Sequence, residues 1–187
     1  GLNKMFYVGG MILFGILSTP IWNLLKNYQK ERILTFLNPG TDILGSGYNV
    51  IQSTIAVGSG RFFGKGFGHG TQSHLQFLPV FWTDFIFAAF AEEWGFVGVV
   101  GLLLLYFALL GILLYIAINI KDVLGSLMTI GVFIIIFSQF VVNVGMNLGI
   151  MPVTGIPLPL VSYGGSSLLT TLIMLGIVHS VWIHEKV

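Results

Sequence analysis

The chain has 187 residues, of which 55% are hydrophobic and only 8% are charged, and its formal net charge is +1. This composition cannot supply the charged shell that keeps a soluble domain dispersed, so it predicts a chain solvated by lipid. The low net charge argues against a nucleic-acid partner, and the lack of cysteine excludes disulfides, thiol catalysis and cysteine-ligated metals.

Four apolar segments are each long enough to cross a bilayer as a helix. They extend over about residues 5–25, 85–120, 123–142 and 166–183. Only a helix satisfies its backbone hydrogen bonds within one such segment. We therefore predict an all-α integral membrane fold with about four transmembrane helices.

Two connections between these segments have a distinct composition. Residues 26–83 form a long loop with five of the eight Lys and Arg residues, and Tyr48, Ile51 and Ile55 recur in it at helical spacing. That spacing predicts a short amphipathic helix in the membrane interface. Residues 149–165 are rich in Pro and Gly and carry no charge, which predicts a re-entrant segment packed against protein.

The positive charges of the short connections predict the orientation. Lys4, Lys121 and Lys186 fall on one side of the predicted spans, which would be the cytoplasm. The long loop then lies on the extracytoplasmic side, because long loops translocate largely regardless of their charge.

Residues 58–70 are rich in glycine but match neither a P-loop nor a dinucleotide-binding fingerprint. One interpretation is a flexible loop at the membrane surface. The other is an anion site, in which Arg61 and Lys65 hold an anionic headgroup on a backbone that can approach closely.

Three carboxylates lie at the start of the second segment. Asp84 is either the N-cap of the helix or a surface carboxylate that takes a proton or holds a divalent cation. Glu92 falls within a quarter-turn of the Asp84 face and is a functional candidate, because ionisable groups in membrane segments are costly. Glu93 points away, and we interpret it as half of a structural pair with a neighbouring helix.

Two polar motifs occur near the last two segments. Gln139, Asn143 and Asn147 recur at helical spacing and either join helices by hydrogen bonds or line a cavity. Residues 162–167 place two glycines before a helix start, which favours either an anion site or a simple capped helix.

Together these stretches resemble the SEDS family of cell-shape and division proteins, and RodA more than FtsW. The matching stretches are residues 34–39, 64–73, 77–79, 83–87, 91–93, Asn143, 149–156 and 160–167. The resemblance covers about the last four of roughly ten spans in the family fold, so we expect a C-terminal fragment. Val80, Phe81 and Trp82 depart from the family, which usually has polar or charged residues there.

The resemblance implies a peptidoglycan glycosyltransferase that polymerises lipid II during cell-wall elongation and cell-shape maintenance. Asp84 matches the essential loop aspartate of the family and is the catalytic candidate, with Mg²⁺ or Mn²⁺ as a possible bound cation. The candidates for substrate binding are Arg61, Lys65, Gln72, Ser73, Glu92, Ser162, Gly164, Gly165 and Ser166.

The resemblance also implies partners and a location. They are a class B penicillin-binding transpeptidase and other elongation-complex membrane proteins, in the bacterial cytoplasmic (inner) membrane as a multi-pass protein. Two alternatives to polymerisation stay open, a lipid II flippase and a structural partner that activates a transpeptidase. A flippase would need a polar path through the whole bilayer, whereas the charges here cluster at one face.

Overall fold

The computed structural model describes residues 24–41, 45–74 and 81–186, and these residues contain helices but no strand. The helices are α1 (Asn27–Leu37), α2 (Ser46–Ser59), α3 (Thr71–His74), α4 (Ile86–Asn119), α5 (Val123–Asn147) and α6 (Gly165–Lys186), with a short 3₁₀ helix at Pro39–Thr41. The first predicted span, residues 5–25, lies almost wholly outside the described residues.

Three of the described helices, α4, α5 and α6, are long and apolar enough to cross a membrane. This confirms the all-α membrane fold at the level of its spans. They pack around a cluster of Leu110, Leu113, Val132, Ile136 and Val178. Much of the remaining apolar surface faces outward, as expected of helices solvated by lipid.

A tight turn joins α4 to α5 and makes them antiparallel. Asp122 is the N-cap of α5, and its carboxylate accepts a hydrogen bond of 2.8 Å from the backbone N–H of Gly125. Helix α5 continues to Asn147, beyond the predicted end at Val142. The polar residues that suggested an earlier end are buried and hydrogen-bonded, so they do not interrupt the helix.

The long loop contains more helix than its composition indicates. Helix α2 includes the predicted Tyr48, Ile51 and Ile55, and its opposite face is buried through Val50, Ser53 and Ala56. Helix α1 was not predicted, because its sequence has no clear apolar periodicity. One contact that holds α1 is the 3.2 Å hydrogen bond from Arg32 Nη1 to the carbonyl oxygen of Thr154. The location of α2 in the membrane interface stays a prediction.

Helix α4 is broken near its start. Gly95 has φ +64° and ψ −164°, a left-handed conformation that interrupts the helix. The part after Gly95 has no charged residue and is long enough on its own to span a bilayer. The part before it, which carries Glu92 and Glu93, is a separate helical arm that starts beside Asp84.

The segment of residues 148–164 has no regular helix and connects α5 to α6. The backbone N–H groups of Ile150 and Met151 donate to the carbonyl of Gly145, and the Tyr106 hydroxyl donates to the carbonyl of Pro159. These bonds satisfy part of its backbone against α4 and α5. Its re-entrance into the membrane stays a prediction.

Candidate functional site

The backbone of Asp84 is held by the end of α5. Its carbonyl oxygen accepts hydrogen bonds from Asn143 Nδ2 (3.0 Å) and Asn147 Nδ2 (3.1 Å). Asn147 Oδ1 also accepts from the N–H of Ala88 (3.2 Å), and Asn143 Nδ2 donates to Ile156 O (2.8 Å). Both amides are fully buried. The two asparagines therefore join α4, α5 and the 148–164 segment, as the helix-joining interpretation predicts.

The two residues before Asp84 are held by the 148–164 segment. Ser162 Oγ donates to Thr83 O (2.6 Å) and accepts from the N–H of Leu158 (2.7 Å). The N–H of Tyr163 donates to Trp82 O (2.9 Å). Three successive backbone carbonyls, those of residues 82–84, are thus bound from two other parts of the chain.

The carboxylate of Asp84, in contrast, makes no hydrogen bond to any residue the structure describes. The N-cap position of α4 is Phe85, and no side chain caps this helix. The carboxylate lies over the 148–164 segment, where a Cβ added at Gly155 would be 3.5 Å from Asp84 Oδ2. This geometry disfavours the capping interpretation, and the bonds described above hold the backbone that carries the carboxylate.

Glu92 occupies a different environment. Its side chain is fully buried, and its Oε1 lies 2.7 Å from Lys65 Nζ. The same carboxylate accepts from the N–H of Thr71 (2.8 Å), Thr71 Oγ1 (3.0 Å) and the N–H of Gln72 (3.1 Å). Glu92 thus forms an ion pair within the protein, while the structural pairing expected of Glu93 stays a prediction.

The glycine-rich loop is bound along the break in α4. The N–H groups of Phe96 and Val97 donate to the carbonyls of Arg61 (2.9 Å) and Phe62 (3.2 Å). In the reverse direction, the N–H groups of Lys65 and Gly66 donate to the carbonyls of Glu92 and Glu93, both at 3.0 Å. The backbone groups that the break exposes are therefore satisfied by the loop. The structure therefore describes the loop bonded to α4 on both sides of the break.

The two predicted cations differ in availability. Lys65 Nζ is engaged by Glu92 and by Thr71 Oγ1 (2.8 Å). Arg61 is exposed and has φ +48°, a conformation uncommon for a residue other than glycine. Backbone strain of this kind clusters at functional sites. Arg61 is thus the better placed of the two to meet an anion.

The remaining candidates fall in separate places. Gln72 is half-buried, and its Oε1 is buried without a partner among the described residues. The Ser73 side chain lies outside the described structure. Gly165 is the first residue of α6, and the carbonyl of Gly164 accepts from the N–H of Leu168 (2.9 Å).

Ser166 lines an open pocket of about 260 Å³ between α5 and α6, together with Gln139 and Thr170. Ser162 is not among the lining residues, and its hydroxyl bonds to Thr83 O instead. The predicted anion site at residues 162–167 is therefore divided between the Asp84 backbone and this pocket. No described group of three or more His, Asp or Glu residues could hold a metal ion.

Sequence reasoning missed the partners that hold this region, namely Thr71 and Ser59 at Glu92 and the Ser162 hydroxyl at Thr83. One signal was present for the ion pair. In a chain with so few charges, an apolar segment that carries a glutamate needs a counter-ion, and Lys65 lies in a loop able to approach it. The hydroxyl partners have no comparable sequence signal.

Comparison with known proteins gives consistent relatives. The chain is 50% identical over 163 residues to the peptidoglycan glycosyltransferase MrdB of Escherichia coli K12, which covers 87% of this chain and 44% of MrdB. It is 52% identical over 160 residues to the peptidoglycan glycosyltransferase RodA of Treponema pallidum, which covers 84% of this chain and 36% of RodA. The chain therefore spans less than half the length of these relatives.

Solved structures resemble the fold as well. A chain of a peptidoglycan synthase complex that coordinates polymerization and crosslinking matches 98% of this chain and 49% of its own length, with 43% identity and a TM-score of 0.69. A mutant of the rod shape determining protein RodA of Thermus thermophilus matches 87% of this chain and 59% of its own length, with 34% identity and a TM-score of 0.54.

The family assignment rests on nearly the whole sequence. The pattern of the FtsW, RodA and SpoVE family, described as cell cycle proteins, matches residues 2–187. Together with three helices able to cross a bilayer, this match identifies a membrane protein. The chain belongs to the FtsW/RodA/SpoVE family, which is the SEDS family indicated by its sequence motifs.

Proposed function

We propose that the protein to which this chain belongs is a peptidoglycan glycosyltransferase that extends glycan strands from lipid II during cell-wall elongation. Relatives from two bacteria carry this activity in their names. The observation that carries the proposal is Asp84, whose carboxylate makes no hydrogen bond within the described residues while its backbone is held by Asn143 and Asn147.

The reaction joins a sugar hydroxyl of the acceptor to the anomeric carbon of the growing chain. The bond from that carbon to the lipid pyrophosphate breaks, and the pyrophosphate leaves with the electron pair. Asp84 accepts the hydroxyl proton as a general base, which requires an available carboxylate held in one position. Exposed Arg61 binds the lipid pyrophosphate through its positive charge, equally before and during its departure.

A divalent cation, Mg²⁺ or Mn²⁺, is compatible with the same residue. A single carboxylate together with substrate phosphates is a common way to hold Mg²⁺, and it needs no cluster of protein ligands. Asp84 is the residue that would hold the ion. When bound, the cation would neutralise part of the pyrophosphate charge.

The partners and location follow from the same relatives. The similar solved chain belongs to a complex of polymerization and crosslinking. This supports a class B penicillin-binding transpeptidase and other elongation-complex membrane proteins as partners. We place Asp84 and the long loop on the outer side of the bacterial cytoplasmic membrane, at the level of the lipid II headgroup.

The test is polymerisation of lipid II by the purified full-length protein with Asp84→Asn. Asn retains the shape but not the negative charge, and loss of a general base typically lowers the rate by about 10²–10⁴-fold. Asp122→Asn is the matched control: Asp122 is a true N-cap, and Asn caps about as well as Asp. Thermal unfolding in detergent should be close to wild type for both variants.

Near-normal polymerisation by Asp84→Asn in a stable protein would reject the catalytic assignment. Polymer formation by wild-type protein in detergent, with no membrane to cross, also separates this function from a flippase or a purely structural partner.

A further inference from the structure

We infer that Glu92 is a positioning residue, which fastens the glycine-rich loop of residues 60–72 to the helical arm that follows Asp84, with Lys65 as its counter-ion. This inference rests on the proposed function, because the loop carries Arg61 and Gln72, two candidates for substrate binding. It also changes the role expected of Lys65, which forms an ion pair with Glu92 instead of binding pyrophosphate.

The first support is the burial and saturation of the carboxylate. Glu92 is 0% exposed, whereas the Lys65 side chain is 28% exposed. The carboxylate accepts bonds from Ser59 Oγ (3.4 Å) just before the loop, from Lys65 Nζ in its middle and from the backbone N–H groups of Thr71 and Gln72 at its end. A buried charge persists only when it is paired and hydrogen-bonded in this way.

The second support is the tight backbone contact at the helix break. A Cβ added at Gly64 would overlap the carbonyl group of Glu93, and one added at Gly60 would overlap the carbonyl of Ala91. The loop and the arm therefore touch backbone to backbone, and the N–H groups of Lys65 and Gly66 donate to carbonyls of the arm. Because the two backbones fit so closely, the loop can bind the arm in one register, the one in which Lys65 pairs with Glu92.

The third support is the route from Glu92 to the site. The arm that carries Glu92 begins directly after Asp84, and its first turn is bound to Asn147 through the N–H of Ala88. A loop fastened to this arm keeps a constant position relative to Asp84. Release of the loop would leave Asp84 in place and displace Arg61 and Gln72, so substrate binding would suffer more than the chemical step.

The experiment compares Glu92→Gln, Lys65→Met and the double variant in full-length protein. Glu31→Gln, on exposed α1 of the same loop region, is the control for loss of a carboxylate charge. The first readout is amide hydrogen exchange of residues 60–72 in detergent, which does not depend on activity. The second is the steady-state kinetics of lipid II polymerisation.

Glu92→Gln should speed exchange at residues 65, 66, 71 and 72 by at least about tenfold, while exchange in α5 stays unchanged. It should raise KM for lipid II about tenfold or more, with kcat within about threefold of wild type. The double variant should exchange more slowly than Lys65→Met alone, because Lys65→Met leaves the buried Glu92 carboxylate without its counter-ion and the double variant does not.

If amide exchange of the loop stays at the wild-type rate in both Glu92→Gln and Lys65→Met, Glu92 does not fasten the loop to the arm. Faster exchange with unchanged kinetics would overturn its role in positioning. If the wild-type protein makes no polymer, the proposed function fails. The exchange data still show whether Glu92 fastens the loop to the arm. If Glu92→Gln does not fold, Lys65→Met tests the same link from its more exposed partner.

Discussion

Hydrogen-bonding groups around Asp84 divide into those that hold its backbone and those that could meet its carboxylate. All the described bonds are of the first kind, from Asn143 and Asn147 to its carbonyl oxygen and from Ser162 and Tyr163 to the two preceding carbonyls. This arrangement suits a general base, because the bonds that fix its backbone do not use the lone pairs of its carboxylate.

Ser162 should therefore matter through structure. Its hydroxyl bridges Thr83 O and the N–H of Leu158, so Ser162→Ala leaves both groups without this partner. We expect a loss of about 1–3 kcal/mol in the free energy of unfolding, measured in detergent. Ser138→Ala is the matched control, since Ser138 Oγ is exposed and bonds only to Ile135 O in its own helix.

A Ser162→Ala protein as stable as the Ser138→Ala protein would contradict the bridge. Lost polymerisation at unchanged stability would instead return Ser162 to the substrate-binding candidates that the sequence suggested.

At the scale of elements, the break in α4 and the glycine-rich loop form one unit. The loop caps the N–H groups exposed by the break, and the arm before the break binds the loop N–H groups. Each element thus satisfies backbone groups that the other leaves unpaired, so each depends on the other.

Gly64→Ala should disrupt this unit. Gly64 has φ +78°, and an added Cβ would overlap the Glu93 carbonyl. We expect about 1–3 kcal/mol or more of destabilisation, measured by thermal unfolding together with exchange in residues 60–72. Gly58→Ala is the control: it lies in α2 with no atom within 4 Å of the new Cβ, so the change should be neutral or slightly stabilising.

An equal effect of Gly64→Ala and Gly58→Ala on both measurements would show that the contact at the break is looser than the structure indicates.

At the scale of the whole molecule, the charged groups of the described chain gather at two opposite ends. Antiparallel packing of α4 and α5 brings the long loop and the 148–164 segment together at one end, where Arg32 bonds to Thr154 O. At the other end the Glu185 carboxylate accepts from the N–H of Lys121 (3.1 Å). Between these two ends the described spans carry no charged side chain, so they provide no charged path across the membrane.

The orientation can be tested with single cysteines in full-length protein from which any cysteine outside this chain has been removed; the chain itself contains none. Impermeant thiol reagents added outside intact cells should label Ser73→Cys and Thr154→Cys but not Lys121→Cys. Labelling of Lys121→Cys alone from outside would reverse the predicted orientation. Labelling of Ser73 and Thr154 from opposite sides would contradict the shared end seen in the structure.

Composition, segment length and motifs were enough to predict the spans α4, α5 and α6 and the family. An uncharged segment of sufficient length leaves the backbone only the helix as a spanning structure, so α4, α5 and α6 could be predicted from composition and length. The family followed from motifs such as residues 160–167, which identify relatives without any knowledge of contacts.

The folded structure was needed to show which polar groups contact each other. These contacts join residues far apart in the chain. They are the ion pair of Glu92 with Lys65, the hydrogen bond from Ser162 to Thr83 O, and the hydrogen bonds from Asn143 and Asn147 to Asp84 O. Residue type shows that a buried charge or amide needs a partner, but the path of the backbone selects that partner. The break at Gly95 sets that path, because it turns the arm toward the loop. The φ of +64° at Gly95 is a property of the packed fold.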